Sequence, residues 1–160
     1  MTKPNVFITR RLPVQILDLF AGYDVEMNSE DRALTKEELL AKIRGRDAVV
    51  VVADMIDEEI CRAVKAKCKI FANYGVGYNQ IDVESATKQG IYVSNTPDVV
   101  TDATADLAWT LLLATARRVV ECDRFVRSGQ KTWHPMNLMG TQVTGKTLGI
   151  LGMGRIGRAV

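Results

Sequence analysis

The sequence predicts an α/β fold built on a doubly wound, five-stranded parallel sheet. Three observations support this fold class. Five short β-rich runs alternate with helical patterns over residues 5–94. Four consecutive valines, Val49–Val52, form the continuous apolar run that is typical of a strand buried on both faces of a parallel sheet. Parallel neighbours also need crossover connections, so the alternation predicts helices on both faces of the sheet.

The first elements are read from local patterns. Asn5–Thr9 is a β-rich run, and Tyr23–Met27 is predicted to be the second strand. Pro13 lies between them, where the first turn of a helix tolerates proline. Apolar residues follow it at helical spacing: Val14, Leu17 and Phe20.

The next two helices have recognisable caps. Thr35–Glu38 forms a capping box, and Gly45 is expected to end the helix that follows. Asp47–Val52 is the third strand, and Asp57 is expected to cap the second of these helices. The buried faces of the two helices are predicted to carry Leu39, Leu40, Ile43, Ile60, Cys61 and Val64.

The sheet closes with two more strands. Lys69–Tyr74 is the fourth, and Ile91–Ser94 is the fifth. Between them a glycine loop leads to a short helix that starts at Asp82 and ends at Gly90. The result is a flavodoxin-like unit, in which ligands bind beyond the carboxyl ends of the strands. These ends are the turns after Thr9, Val52, Tyr74 and Ser94.

A domain boundary is expected at Thr96–Asp98, because Pro97 removes a donor and forces its predecessor into an extended conformation. We therefore predict a substrate-binding domain at residues 1–98 and a second, incomplete domain at 99–160. Thr101 or Asp102 is expected to cap a long helix that continues to Arg117. This helix has almost no polar face, so it must be buried nearly all round, and a partner subunit is a candidate for covering it.

The end of the chain predicts the start of a Rossmann dinucleotide-binding domain. After a helical segment at Val119–Ser128 and a long connection, the apolar run Leu148–Leu151 is expected to form a strand. The glycine turn that follows has the GxGxxG spacing, with glycines at Gly152, Gly154 and Gly157. They would permit a tight turn, approach of the backbone to a pyrophosphate and close packing of a helix. A glycine-rich turn without a ligand is the alternative.

Composition excludes several classes of function. With 21 Lys and Arg against 19 Asp and Glu, the charge of +2 gives no reason to expect nucleic acid or an acidic membrane as a partner. The three cysteines are odd in number and lack CxxC spacing, which argues against a disulfide framework and a zinc site. The N-terminus lacks the pattern of a secretory signal, so a cytoplasmic location is expected. The apolar stretch Leu107–Ala116 is too short to span a bilayer.

Three segments resemble the D-isomer-specific 2-hydroxyacid dehydrogenases: NYGVGYNQID at Asn73–Asp82, NTPDVVTDATADLA at Asn95–Ala108 and GKTLGILGMGRIG at Gly145–Gly157. Two further segments, DRFVRSG at Asp123–Gly129 and WHP at Trp133–Pro135, are similar to the glyoxylate and hydroxypyruvate reductases within that family. The resemblance implies reduction of a small 2-keto acid with NADH or NADPH, and a homodimer. The apolar character of the helix at 102–117 makes this helix the expected interface. Family members are considerably longer, so this chain is expected to be inactive by itself.

The resemblance also assigns roles to residues. The backbone amides of Val76 and Gly77 would bind the substrate carboxylate, and Ala53 is the nearest match to a further substrate contact. Successive N–H groups in a glycine turn make an anion-binding nest, which agrees with the first role. A plain turn that needs Gly75 and Gly77 for positive φ is the alternative.

On the cofactor side, Arg155 and Ile156 match positions whose amides meet the pyrophosphate, and Thr104 matches a position near the cofactor. For Thr104 the alternative, an ordinary threonine on the surface of a helix, is equally well supported. The catalytic arginine, histidine and glutamate of the family lie beyond residue 160. His134 is not assigned as the acid, because a histidine in a loop is more often structural.

Two other functions are alternatives. A non-enzymatic, NAD(H)-sensing regulator can share the whole fold, and the catalytic residues beyond position 160 would distinguish it. A phospho-acceptor receiver domain shares the five-stranded architecture but needs an acidic pair after strand one. Here Arg10 and Arg11 follow that strand, a basic turn that cannot bind magnesium in that way, and Asp54 after strand three is isolated.

Overall fold

A computed structural model describes residues 2–30, 32–130, 132 and 134–160 of the chain. Trp133, part of the WHP segment, therefore lies outside the described residues. The chain divides into two compact units, Met1–Pro97 and Asp98–Val160. The assignment of a substrate domain to 1–98 and of a nucleotide-binding domain to 99–160 remains a prediction.

The first unit contains the five-stranded sheet that the sequence predicts, and all of its strands are parallel. The strands are β1 (Asn5–Ile8), β2 (Asp24–Met27), β3 (Ala48–Val51), β4 (Ile70–Asn73) and β5 (Tyr92–Ser94), in the order β2-β1-β3-β4-β5. The order reverses direction between β1 and β3, which makes this the switch point of a flavodoxin-like sheet. Each strand is slightly shorter than the run that predicted it.

Three capped helices connect the strands: α1 (Lys36–Ile43), α2 (Glu58–Val64) and α3 (Val83–Lys88). The capping box at Thr35 is confirmed, since the Glu38 N–H donates to Thr35 Oγ1 at 3.3 Å and the Thr35 N–H donates to Glu38 Oε2 at 2.8 Å. Asp57 and Asp82 cap α2 and α3 as predicted, accepting the N–H of Ile60 at 3.0 Å and of Ser85 at 2.9 Å.

The main hydrophobic cluster of the core lies on one face of the sheet. Phe7, Val49 and Phe71 are adjacent in register on that face, and they belong to one buried cluster with Leu39, Ile43, Ile60, Cys61 and Val64 of α1 and α2. The opposite face is covered unevenly: Val6 and Ile8 of β1 are buried there, whereas Val50 and Val52 are only half-buried. Burial of this valine run on both faces is therefore only partly confirmed.

The connection between β1 and β2 explains the difference between the faces. It runs across the sheet in the opposite direction to the other connections, so right-handed crossovers place it alone on the second face. The helix predicted after Pro13 is a 3₁₀ helix, Val14–Phe20, with no buried residue. A tight, exposed helix covers less of the sheet than the three α-helices on the first face.

The second unit consists of α4 (Thr101–Ala116), α5 (Val119–Arg127) and α6 (Arg155–Ala159), joined by a long connection. The predicted cap of α4 at Thr101 or Asp102 is wrong: Val100 is the N-cap, and no side chain caps the helix. Asp98 adopts a φ of 69°, and its carbonyl accepts the Thr101 N–H at 3.2 Å. A backbone turn at Asp98 thus begins the helix without a polar cap.

The predicted strand at Leu148–Leu151 is also not found, because the described residues of the second unit provide no neighbouring strand for it to pair with. The segment instead runs beside α4, where it lines a cleft of about 430 Å³ together with Ala108 and Leu112. The predicted start of a helix after the glycine turn is found, since Gly154 is the N-cap of a helix that starts at Arg155. Within the described ranges no helix combines the length and apolar character needed to cross a bilayer.

Candidate functional site

The turn that follows β4 is held by a buried asparagine. Asn73 is the last residue of β4 and is 3 % exposed. Its Nδ2 donates to the carbonyl oxygen of Gly75 at 2.9 Å and to that of Gly77 at 2.8 Å. Its Oδ1 accepts a hydrogen bond from Gln80 Nε2 at 2.7 Å. Asn73 therefore fixes two carbonyls of the glycine loop and is itself fixed by Gln80.

A second asparagine holds the carbonyl between these two. Asn95, directly after β5, donates from Nδ2 to the carbonyl oxygen of Val76 at 2.9 Å. All peptide bonds in the described residues are trans, so each N–H points away from the carbonyl of the residue before it. The N–H groups of Val76 and Gly77 consequently face away from the two asparagines. Neither donates a hydrogen bond to another described residue.

The glycines of this turn are not required by the backbone conformation. Neither Gly75 nor Gly77 has a positive φ. This contradicts the alternative of a plain turn that needs these two glycines for a positive φ. A Cβ atom at Gly77 would meet no atom within 4 Å, and one at Gly75 would make an ordinary contact of 3.5 Å with Asn73 Nδ2. The turn thus presents two free N–H groups beside open space, an arrangement that can bind an anion.

The turn after β3 is fixed by Thr9, which is fully buried at the end of β1. The Thr9 N–H donates to the Val50 carbonyl at 3.0 Å, and Thr9 Oγ1 accepts the Val52 N–H at 3.2 Å. Asn28 Nδ2 in turn donates to the Thr9 carbonyl at 3.1 Å. These bonds position Ala53, the next residue, which is exposed at the carboxyl edge of the sheet.

Sequence reasoning missed an ion pair at the switch point. Arg10 follows β1 and Asp54 follows β3, and the two side chains approach each other to 3.8 Å. Asp54 was considered only as an isolated acid. The strand order contains the signal that could have found the pair, because β1 and β3 are neighbours and residues beyond their carboxyl ends meet at one edge. Asn73 and Asn95 were likewise missed as residues that orient the glycine turn.

The predicted cofactor residues lie in one turn of the second unit. Gly152 has a φ of 100°, and a Cβ atom at Gly157 would lie 2.0 Å from the Gly152 carbonyl oxygen, so both positions require glycine. A Cβ atom at Gly154 would meet nothing within 4 Å. The side chain of Arg155 forms an ion pair with Asp98, with Nε 2.7 Å from Oδ1. The side chain of Ile156 is 40 % exposed.

Two further candidates have local hydrogen bonds. Thr104 is half-buried in the first part of α4, and its Oγ1 donates to the Val100 carbonyl at 2.7 Å. Its role near a cofactor remains a prediction. His134 is exposed, and its Nδ1 accepts the Met136 N–H at 3.2 Å, which makes it part of a surface turn.

The cysteines and acidic residues form no reactive cluster in the part of the chain that the structure describes. No group of three His, Cys, Asp or Glu side chains there is arranged to hold a metal ion. Cys61, Cys68 and Cys122 are free thiols. Burial raises the pKa of Cys61 to about 11, so its thiol stays protonated and unreactive near neutral pH.

The fold and these turns define a class of α/β protein that pairs a flavodoxin-like unit with a glycine-rich turn of the dinucleotide-binding type. The sequence profile described as D-isomer specific 2-hydroxyacid dehydrogenase, catalytic domain, matches residues 6–150. The chain belongs to this family, which confirms the resemblance drawn from its motifs.

Similar proteins agree with the family assignment. A glyoxylate reductase of Thermococcus kodakarensis is 52% identical over 165 residues, which cover 99% of this chain and 49% of the relative. A protein from Polaromonas sp. JS6 66, assigned to the NAD-binding D-isomer specific 2-hydroxyacid dehydrogenases, matches in structure with a TM-score of 0.91 and 40% identity over 99% of this chain and 50% of that one.

A more distant structure was determined with bound ligands. It is the NADPH-dependent glyoxylate/hydroxypyruvate reductase of Sinorhizobium meliloti in complex with NADP and malonate, with a TM-score of 0.72 and 28% identity over 99% of this chain and 49% of that one. The chain therefore spans about half the length of the relatives it matches.

Proposed function

We propose that the full-length protein is a reductase that uses NADH or NADPH to convert a small 2-keto acid, glyoxylate or hydroxypyruvate, to the D-2-hydroxy acid. The observation that supports this most directly is the turn after β4, whose carbonyls are held by Asn73 and Asn95 and whose N–H groups are free. Such a turn suits the carboxylate that every 2-keto acid contains. The names of the relatives support the reaction and the cofactor class.

In this proposal each predicted residue has a defined task. The N–H groups of Val76 and Gly77 bind the substrate carboxylate, and Ala53 borders the substrate with its small side chain. The cofactor pyrophosphate is held by the turn with Gly152, Gly154 and Gly157 and by the amides of Arg155 and Ile156, with Thr104 nearby. The open space over Gly154 and the glycine requirement at Gly157 fit a dinucleotide there.

The chemistry is divided between the cofactor and the protein. The nicotinamide supplies a hydride to the carbonyl carbon of the keto acid when it is bound. The residues of this chain hold the carboxylate and so orient the carbonyl. This chain matches only about half of each relative. We assign the proton donor and the arginine that faces the keto acid to the other half.

We also propose that the full-length protein is a homodimer, formed through the helix at 102–117. Along α4 only Ala105 is buried, while Leu107 is 55% exposed and Leu111 is 58% exposed. An apolar surface of this kind is typical of an interface. The cytoplasmic location expected from the sequence remains a prediction.

The test is a steady-state assay of the full-length protein. We expect oxidation of NADH or NADPH to depend on glyoxylate or hydroxypyruvate, and the product of hydroxypyruvate to be D-glycerate on a chiral column. Binding of a nicotinamide cofactor without turnover of either acid would instead favour a regulator that senses NAD(H).

A further inference from the structure

We propose that Asn73 and Asn95 are positioning residues for carboxylate binding. Their side-chain amides hold the carbonyl oxygens of the turn after β4 inward, so that the N–H groups of Val76 and Gly77 remain free for the anion. This inference rests on the proposed function, in which that turn binds the carboxylate of a 2-keto acid.

The orientation of Asn73 is fully determined by its partners. Its amide nitrogen has two hydrogens, and these donate to the carbonyls of Gly75 and Gly77, while its oxygen accepts from Gln80. A flipped amide would bring its own oxygen against two carbonyl oxygens and face Gln80 with a second donor. Only the observed orientation satisfies every group, and an aspartate or a leucine could not replace its donors.

The turn needs such a restraint because it contains Gly75 and Gly77. Glycines allow a peptide plane to rotate at little steric cost, and a rotated plane would point a carbonyl oxygen at the anion. Asn73 holds the peptide before Val76, together with the Thr96 N–H, which donates to the same Gly75 carbonyl at 3.0 Å, and it also holds the peptide before Tyr78. Among the described residues, Asn95 alone holds the peptide before Gly77. Donors held in place before binding cost no reorganisation when the anion arrives, and this improves affinity.

A role in positioning differs from a role in stability alone. Loss of a donor that only stabilises the fold would lower the melting temperature and leave carboxylate binding unchanged. Loss of a donor that orients the turn would lower the affinity for every ligand that binds through a carboxylate. It would leave cofactor affinity unchanged, since the glycine-rich turn of the second unit is a separate element of the chain.

The experiment uses the full-length protein with Asn73→Leu and Asn95→Leu, because leucine is neutral and keeps the branching at Cγ but has no donor or acceptor. Asn79→Leu is the matched control, because Asn79 is exposed in the same loop. We measure KM and kcat for glyoxylate, inhibition by oxalate as a carboxylate that is not reduced, and the Kd of NADPH. An N–H that turns away loses its hydrogen bond to a charged group, so we expect KM and the oxalate inhibition constant to rise about tenfold to a hundredfold for Asn95→Leu. The rise should be smaller for Asn73→Leu, because the Thr96 N–H still holds the Gly75 carbonyl.

We expect kcat at saturating glyoxylate and the Kd of NADPH to change little in both variants, and all constants to stay near wild type in Asn79→Leu. A folded Asn95→Leu variant with normal KM and normal oxalate inhibition overturns the inference. Should Asn95→Leu fail to fold, Asn73→Leu decides by the same two constants.

The proposed function can fail separately. A wild-type protein that reduces neither glyoxylate nor hydroxypyruvate would end the proposed function. Calorimetry of oxalate with the wild type and with Asn95→Leu, in the presence of NADPH, would then still test the positioning role. Weaker oxalate binding by the variant supports the role, and equal binding overturns it.

Discussion

The guanidinium Nε of Arg10 lies 3.8 Å from the carboxylate oxygen Oδ2 of Asp54 at the switch point of the sheet. The Asp54 side chain is 2% exposed, and the Arg10 side chain is 22% exposed. Within the described residues, neither Asp54 oxygen nor the Arg10 Nε has a hydrogen-bond partner. The buried carboxylate therefore depends on the nearby positive charge of Arg10 rather than on direct donors.

Removal of Arg10 should destabilise the protein. Breaking a buried ion pair leaves an uncompensated charge, and because Arg10 keeps some contact with solvent we expect Arg10→Ala to cost about 2–4 kcal/mol. Asp54→Asn should cost less, since it removes the buried charge and leaves a cation that can reach water. Urea unfolding of the full-length protein measures both. Arg11→Ala is the control, because Arg11 is exposed beside Arg10, and an equal effect of the two alanine variants would contradict this account.

The capping residue Asp57 should make stability depend on pH. The hydrogen bond from Lys36 Nζ, at 2.6 Å, is the main cause that lowers the pKa of Asp57 below its ordinary value of 3.8. A carboxyl whose pKa is lower in the folded state stabilises the fold above its unfolded pKa. That contribution is lost as the pH falls through the folded pKa.

We therefore expect Lys36→Met to weaken the dependence of stability on pH below about pH 4, while Lys65→Met leaves it unchanged. Lys65 is exposed directly after α2 and serves as the control. Thermal unfolding of the full-length variants between about pH 2 and pH 6 measures the effect. Parallel curves for Lys36→Met and wild type would show that this pair does not contribute.

Features set by neighbouring residues could be predicted from the sequence. Thr35, Asp57 and Asp82 cap their helices as expected, because a cap needs only a polar side chain and the N–H two or three residues on. The parallel sheet followed from the alternation of apolar runs with helices. The N-cap of α4 was predicted wrongly because the turn before the helix is made by the backbone of Asp98, which has a positive φ. Thr101 and Asp102 nearby are typical capping residues, and the sequence therefore favoured them.

Features that depend on distant residues could not be predicted in the same way. Leu148–Leu151 has the composition of a strand, but a strand also needs a neighbour that sequence composition does not supply. The contact of Asn95 with Val76 joins two loops 19 positions apart. The pair of Arg10 and Asp54 likewise becomes visible only when the strand order is known.

Two of the three glycines in the turn at 152–157, Gly154 and Gly157, should respond differently to alanine. At Gly157 the new Cβ would lie 2.0 Å from the Gly152 carbonyl oxygen, so Gly157→Ala must displace the backbone and lower stability. At Gly154 the Cβ meets nothing within 4 Å, so Gly154→Ala should keep its stability and lose affinity for NADPH. A methyl group there would occupy the space through which a pyrophosphate approaches the backbone. Calorimetric titration with unchanged NADPH affinity in Gly154→Ala would show that the pyrophosphate binds elsewhere.

The apolar surface of α4 should hold the proposed dimer together. Leu107 and Leu111 lie one turn apart on the helix, and both are more than half exposed. Light scattering should give a dimer for the full-length wild type and a monomer for the double variant with aspartate at both positions, because two charges cannot be buried unpaired. Val126→Asp, on α5 and 72% exposed, is the control and should remain a dimer. A monomeric wild type would end the dimer proposal.

Two substitutions at Gly77 differ in whether they keep its N–H. Neither Ala nor Pro at this position meets a neighbouring atom at Cβ, and the φ of Gly77 is not positive. Gly77→Pro deletes the donor, while Gly77→Ala keeps it, so the pair tests the proposed hydrogen bond to the carboxylate. A hydrogen bond to a charged group is worth roughly 1.5–3 kcal/mol, which corresponds to a loss of about tenfold to a hundredfold in kcat/KM for Gly77→Pro.

Proline has a second effect, since it favours an extended conformation for Val76, the residue before it. Gly77→Ala and the Kd of NADPH therefore have to be measured alongside. We expect a small loss of kcat/KM in the alanine variant and normal cofactor affinity in both, because the donor and not the cofactor site has changed. A folded Gly77→Pro protein that reduces glyoxylate and hydroxypyruvate with normal kcat/KM would mean that another part of the enzyme binds the carboxylate. The asparagines around the turn would then stabilise a loop and not a binding site.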